Sequence, residues 1–318
     1  MTRLLPLTWL VLLGCPQCPA QESARIATWS GDRAGAFAFT FDDGYRQHVT
    51  IAAPMLDALG LKATFAINPG KTSANGNTGN GTWDDWRALA RGGHEIANHS
   101  MTHPNLSQVA DAATLEQEIV GAQAIIEKQL GQPCSTFVYP FNAESAAASA
   151  LVRKSHSAWT GGERKAYGGP DFTTAKANAW IDEAIAQRSL IVAMIHGIDG
   201  GYLPFANRAV LKDHLDYAKA HEAQVWIAPL GVIRRYAAER EVATLAVKGG
   251  PGTAVISLTT TLDATAYAVP LTVVIASGAA MTVSARRAGG GAIPARIVGD
   301  HLLCDVVPGP GAVTVSWK

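Results

Sequence analysis

The chain lacks an excess of charge of either sign. Its 318 residues carry 26 basic and 26 acidic side chains, a formal net charge of +0 with histidine neutral. A surface without a net field gives no reason to expect a nucleic-acid or anionic-membrane partner, and leaves neutral ligands such as sugars open. Cysteine is scarce too: there are 4, and Cys15 and Cys18 fall in the first twenty residues. The remaining pair, Cys134 and Cys304, is expected as small buried apolar residues. No second long apolar run follows the one at the start, so no transmembrane segment is expected. Internal repeats and disordered tracts are missing as well, which excludes solenoids and low-complexity tails.

What is present begins with MTRLLPLTWLVLLGCPQCPA. One arginine, a short apolar run and a small-residue end are the layout of a secretory signal, too short to be a membrane span. Cleavage after Ala20 makes residues 1–20 a signal peptide and the protein secreted or periplasmic. The segment Leu12-Leu13-Gly14-Cys15 offers a second reading, a lipoprotein box leaving a lipid anchor at Cys15 on the cell envelope. The rest, 48% hydrophobic, has apolar material for a large core and a small one.

From residue 26 to about 240, strand-like and helix-like segments alternate. AFAFTF (36–41) sets Phe37, Phe39 and Phe41 opposite small residues, a period-two strand. Residues 49–60 have helical spacing, 63–68 read as strand, and Thr82 opens a helix carrying Trp83 and Trp86. Strands are expected at 94–98, 135–141, 190–196 and 224–230, with helices at 115–130, 180–187, 210–221 and after 230. Regular alternation predicts a parallel sheet covered by helices, open or closed into a barrel. From about 242 the texture changes to short β-branched runs separated by Gly, Pro and Asp. Residues 242–318 are therefore expected to form a small all-β, sandwich-like domain.

In a parallel sheet, function gathers where strands end. The strand at 36–41 runs into Asp42-Asp43-Gly44, that at 94–98 into His99 and His103, that at 135–139 into Pro140-Phe141-Asn142, and that at 190–195 into His196-Gly197. Consecutive strand residues face opposite ways, so Asp42 and Asp43 reach one site only if the chain turns, which Gly44 permits. His99 and His103, spaced i, i+4, are expected on one face of a helical turn. Two imidazoles and a carboxylate match the donor set of catalytic zinc sites that keep positions open for water. A bound divalent cation would also relieve the repulsion between Asp42 and Asp43. His196, ending a wholly apolar strand, is placed to move a proton. His48, His94, His156, His214, His221 and His301 are expected as hydrogen-bonded structural residues. The aromatics Tyr139, Trp159, Tyr202 and Phe205 are near the rim and could stack on sugar rings.

TFDDG (40–44), HSMTH (99–103), YPF (139–141) and IHG (195–197), in this order and spacing, resemble the NodB-type polysaccharide deacetylases of carbohydrate esterase family four. The resemblance covers about residues 26 to 240. It implies a distorted (β/α) barrel and metal-dependent removal of acetyl groups from an N-acetylglucosamine-containing oligo- or polysaccharide. An O-acetyl esterase of the acetyl-xylan type is the alternative on the same fold, and a carbohydrate-binding protein with a vestigial site is the alternative outside enzymes. By position, the resemblance implies Asp43, His99 and His103 as ligands of a divalent metal, zinc with cobalt as the other choice. It makes Asp42 the general base, His196 the general acid, and the backbone N–H of Phe141 an oxyanion donor. Two departures stand out. The family's Arg-x-Pro-Tyr motif reads Val138-Tyr139-Pro140-Phe141 here, without the arginine. The family's Asp near a Trp that orients the acid histidine has only Trp180 and Asp182 as nearest candidates.

Overall fold

The computed structural model describes residues 24–72, 79–162, 164–205 and 207–318. The signal-peptide and lipid-anchor expectations, on residues 1–20, lie outside the described residues.

The described chain opens with β1 (Arg25–Ile26), followed by β2 (Gly35–Phe41), α1 (Ala53–Ala58), β3 (Thr64–Ile67), α2 (Trp83–Arg91) and β4 (Glu95–Asn98). Next come α3 (Ala112–Glu116), α4 (Ala122–Leu130), β5 (Thr136–Phe137), α5 (Ala146–Ser155), β6 (Ala158–Trp159) and β7 (Arg164–Tyr167). The unit ends with α6 (Thr174–Ala186), β8 (Leu190–Ile195), α7 (Arg208–Ala220), β9 (Val225–Ile227) and α8 (Leu230–Val242). Strands β2 to β9 form one all-parallel sheet in the order β6-β5-β4-β3-β2-β8-β7, with β9 also pairing β2. The sheet curls into a half-barrel with helices outside, which fits the parallel sheet expected from the alternation and the distorted (β/α) barrel that the resemblance implies.

Strand β2 shows how the sequence sets this geometry. Phe37, Phe39 and Phe41 point outward and join Leu56, Phe65, Ile181, Leu211 and Leu215 in the main core beneath the helices. Ala36 and Ala38, one residue out of phase, point inward with Ala66, Ala97, Val138 and Val192. Bulk outside and small residues inside let the sheet curl. Leu230 and Ile233 of α8 fill the inner face near the strand starts. Helix α8 is docked there by Glu95, which accepts from Thr64 Oγ1 (2.7 Å), Thr136 Oγ1 (2.7 Å) and the Gly231 N–H (2.9 Å). A Cβ at position 231 would stand 2.0 Å from Glu95 Oε1, so only glycine lets the helix come this close.

The C-terminal part forms two antiparallel sheets. One has the order β1-β12-β16-β15, with β12 Leu271–Ala276, β15 Ala295–Val298 and β16 His301–Val306. The other runs β10-β11-β17-β13-β14, with β10 Thr244–Gly250, β11 Thr253–Thr259, β13 Val283–Arg287, β14 Ala292–Ile293 and β17 Val313–Trp317. Ile256, Leu258, Val273, Leu302, Val313 and Val315 pack between them. The first described strand, β1, thus joins the C-terminal sheets, pairing β12 at Arg25–Val274. Tyr236 of α8 is fully buried here, its hydroxyl donating to the Ala27 carbonyl at 2.9 Å, and Glu239 accepts from the Val269 N–H at 2.9 Å. Those contacts, the approach to β2 and Ser157 before β6 place the β module at the N-terminal ends of the parallel strands. Cys134 and Cys304 are both buried and unbridged. Among the described residues no helix is long and apolar enough to cross a membrane.

Candidate active site

Followed upward, the inner lines of the strands end in polar side chains. Ala36, Ala38 and Thr40 continue to Asp42; Thr64 and Ala66 to Asn68; Glu95 and Ala97 to His99; Val192 and Met194 to His196. Period two along each strand therefore delivers Asp42, His99 and His196 to one rim. They meet Asp43, His103, Phe141, Asn142, Arg164, Met194 and Tyr202 around a cavity of about 340 Å³.

Asp43 cannot follow the same line, and the backbone solves this. Its φ is 72°, and that of Gly44 is 64°, so the chain leaves the strand in left-handed conformation one residue earlier than the glycine alone suggested. Asn80 Nδ2 secures the turn by donating to the Asp43 carbonyl at 2.8 Å and the Gly44 carbonyl at 3.3 Å. Both carboxylates thus face one cavity.

The histidine pair converges for a reason other than the expected one. Residues 99–103 form no helical turn: Ser100 has φ 64° and His103 φ 70°. The loop is tied internally, with Asn98 Oδ1 accepting from the Ser100 N–H (2.9 Å) and Ser100 Oγ from the His103 N–H (3.0 Å). Asn68 donates to the carbonyls of His99 and Ser100, and Glu118 accepts from Thr102. The two rings end with centroids 4.8 Å apart.

One ligand atom each from Asp43, His99 and His103 lies within 4.8 Å of the others. This trio suits a divalent cation. His99 Nδ1 is 2.7 Å from the Val138 carbonyl, which can only accept, so Nδ1 carries the proton and Nε2 faces the site bare. Burial holds the His99 ring down at about 4, with its lone pair free, and burial lowers His103 as well. Asp43 Oδ1, buried and without a hydrogen bond, lies 3.2 Å from His103 Nε2 and 3.7 Å from His99 Nε2.

Asp42 stands beside the trio, outside the ligand set. Burial by itself would raise its pKa, but the Arg164 guanidinium, then His99 and His196, outweigh burial and bring it to about 2. Arg164 donates to Asp42 Oδ2, to Thr40 Oγ1 at 3.1 Å and to Asn142 Oδ1 at 2.7 Å. The ion-paired side chains are 2% and 1% exposed. The arginine missing before Tyr139 is thus met by one from β7. Sequence reading overlooked it because β7 is four residues between glycines, with no helix-length run to mark it. Its faint signal is alternation: Lys165 reaches Glu183, Tyr167 joins the outer core, and Arg164, out of phase, faces inward.

His196 follows β8 with its carbonyl accepting from His48 Nε2 at 2.6 Å, and its Nδ1 is buried without a partner. Among the described residues neither expected partner orients it: Trp180 packs on Tyr167, and Asp182 accepts from the Tyr217 hydroxyl, so neither reaches the cavity. Gly197 is required there, since a Cβ would lie 2.1 Å from the Gly200 carbonyl oxygen. Tyr202, 59% exposed, stands edge-on over His196 at 4.9 Å, and Phe141, 64% exposed, flanks His103 at 4.6 Å.

The remaining aromatics do not reach the site. Tyr139 shares the outward phase of Phe137 and is buried with Leu106, Leu115, Ile119 and Val152 under the helices. Trp159 packs at the edge of the same cluster with Arg153 over its ring, and Phe205 is buried against Tyr167 and Phe172. Strand phase, visible in Thr136 and Val138 pointing inward, placed Tyr139 on the wrong face for a ligand.

Residues 31–156 match the family model of polysaccharide deacetylases. A gellan lyase from a Bacillus species is 23% identical over 338 residues, covering 92% of this chain, while the chain spans only 13% of that protein. A family 4 acetyl xylan esterase from Clostridium thermocellum, solved with cobalt, is 20% identical over 62% of this chain and 89% of its own, with a TM-score of 0.48. A peptidoglycan N-acetylglucosamine deacetylase is 20% identical over 64% and 90%, with a TM-score of 0.47. The matched segment carries both Asp42-Asp43 and the histidine loop, with a parallel half-barrel beneath them, and in this the chain is similar to the NodB-type polysaccharide deacetylases.

Proposed function

We propose that the α/β domain is a divalent-metal-dependent hydrolase that removes acetyl groups from a carbohydrate, with an N-acetylglucosamine-containing oligo- or polysaccharide as substrate. The observation that carries this reading is the convergence of Asp43, His99 and His103 on one cavity with Asp42 and His196.

The trio would hold the cation, zinc by its His₂–carboxylate donor set, with cobalt as an alternative. When bound, the cation supplies Lewis acidity, polarising the acetyl carbonyl and acidifying an adjacent water. Asp42, kept ionised by Arg164, takes a proton from that water and aims it at the acetyl carbon. The backbone N–H of Phe141 would donate to the oxygen that gains charge as the carbon becomes tetrahedral. His196 delivers a proton to the departing nitrogen, the C–N bond breaks, and acetate and the free amine leave. An ester oxygen departs without needing that proton so strongly, which keeps O-acetyl groups as the second substrate class. Tyr202 and the Phe141 ring present exposed aromatic surface for a sugar face.

The test is acetate release from chitooligosaccharides, peptidoglycan fragments and acetylated xylan. Each is assayed with added zinc, with chelator, and with Asp42→Asn. Release that chelator abolishes and zinc restores is expected from at least one N-acetylated substrate. Release insensitive to chelator, or none from the whole panel, would sink the reading.

A further inference from the structure

Among the polar side chains around the cavity, Asn142 has no part in holding a cation or moving a proton. Its carboxamide is nevertheless tightly specified. The Arg164 guanidinium has donors only, so the carboxamide must turn its oxygen to it, at 2.7 Å. Arg164 is itself fixed on Asp42 and Thr40 and is 2% exposed, so Asn142 leans on an immobile partner. With the oxygen committed, the amide nitrogen faces the cavity. Its partner there is the Met194 thioether, 3.6 Å away and a weak acceptor.

The backbone enforces this aim. Phe141 and Asn142 are consecutive left-handed residues, φ 57° and 52°, a conformation that asparagine tolerates better than most side chains. Such strain persists where the surroundings fix a side chain's direction. The outcome is an oriented donor whose amide nitrogen has only the weak Met194 thioether as partner, on a wall flanked by the exposed rings of Phe141 and Tyr202. A neutral, acceptor-rich ligand with apolar faces fits that wall, and a sugar has both.

Resting on the deacetylase reading above, we infer that Asn142 is a substrate-contact residue whose Nδ2 donates to a hydroxyl or ring oxygen of the sugar. It sets carbohydrate preference and leaves the hydrolytic chemistry to Asp42 and His196.

Two variants separate this role from mere support of Arg164. Asn142→Asp keeps an acceptor for Arg164 and removes the donor; Asn142→Gly removes both and suits the left-handed backbone, so it folds. For zinc-loaded enzymes of equal metal content, both variants are expected to lose about tenfold in kcat/KM on an acetylated chitooligosaccharide. That loss exceeds the loss on a small aryl acetate, which offers no sugar hydroxyl, by about the same factor. Full activity in Asn142→Asp beside a fall in Asn142→Gly would show support of Arg164 only and overturn the inference. Equal losses on both substrates, or no loss in either variant, would overturn it too. If the wild type releases no acetate, the deacetylase reading fails separately. Calorimetric titration of the zinc-loaded protein with the same chitooligosaccharide then decides: binding about tenfold weaker in Asn142→Asp supports the contact, and equal or absent binding overturns it.

Discussion

The inner face of the curled sheet carries carboxylates at both ends, and the fold treats them in opposite ways. At the strand starts, Glu95 accepts from two threonine hydroxyls and a helix N-terminal amide, and α8 is locked down by it. At the strand ends, Asp42 Oδ1 and Asp43 Oδ1 are buried without hydrogen-bond partners. Glu95 and His99 even share one line of β4, four residues apart. A carboxylate whose oxygens are all answered is a structural anchor, whereas a buried carboxylate oxygen without a hydrogen bond is free to meet a ligand. Backbone strain follows the same division. Asp43, Ser100, His103, Phe141 and Asn142 all have left-handed backbone at the upper rim, while the inner positions of β2, β3 and β4 near the strand starts have none.

Substitutions at the two ends should separate activity from stability. Asp42→Asn is expected to cut acetate release roughly 10³-fold, the worth of a general base, and to lower the melting temperature as well, because the buried Arg164 guanidinium loses its counter-charge. Removing its partner should act on the same pair from the other side. Arg164→Ala leaves a buried carboxylate unpaired, at about 3–5 kcal/mol of stability by urea unfolding, together with a loss of activity. Glu95→Ala should touch stability alone. It strands the Thr64 and Thr136 hydroxyls and the Gly231 amide, which costs about 3 kcal/mol, while zinc content and kcat per folded molecule hold. A fall in kcat for Glu95→Ala at full folding would erase the distinction between the two ends.

Acid should sharpen the contrast between the inner face and the outer core. His214 packs against Phe37 and Phe39, and burial brings its pKa to about 3. Its Nδ1 donates to Asn178 Oδ1 and its Nε2 accepts from the Tyr167 hydroxyl, so only the neutral ring fits. The folded pKa lies below the unfolded value of about 6.5, so the unfolded chain takes the proton first as pH falls. Stability is complete above about 6.5 and lost from there down toward 3. Between pH 7 and 5 this group alone should remove about 2 kcal/mol. Urea titrations at the two pH values check it, and His214→Gln should flatten the difference by that amount.

The smallest effect is expected where the two domains meet. Tyr236→Phe loses the hydroxyl that donates to Ala27 and accepts from the Thr272 N–H, and should cost about 1 kcal/mol. Acetate release per folded molecule should not change, since this contact lies at the strand starts, away from the rim.

Much of this was legible in the chain. Phe37, Phe39 and Phe41 alternating with small residues announced a strand with a thick and a thin side, and the thin side runs to Asp42. The polar residues after each strand marked the rim before any geometry was known. Other features depended on contacts far apart in sequence. Arg164 becomes the partner of Asp42 only because β7 pairs β8 in a register that sets Arg164 beside Val192. The spacing of His99 and His103 was informative, yet they converge through a loop held by Asn98 and Asn68. Tyr139 and Trp159 stood near the rim in sequence, and strand phase sent them beneath the helices.

The sequence by itself determined the periodicities: parallel strands and helices up to about residue 242, short strands after it, and reactive side chains at strand ends. These are local, because one strand's pleat or one helix's turn suffices to read them. Only the tertiary structure decided which charges are answered. Whether a carboxylate meets an arginine, a pair of threonines or two imidazoles depends on neighbours brought from tens of residues away. That difference divides Glu95, which docks helix α8 on the sheet, from Asp43, which faces the cavity beside two imidazoles.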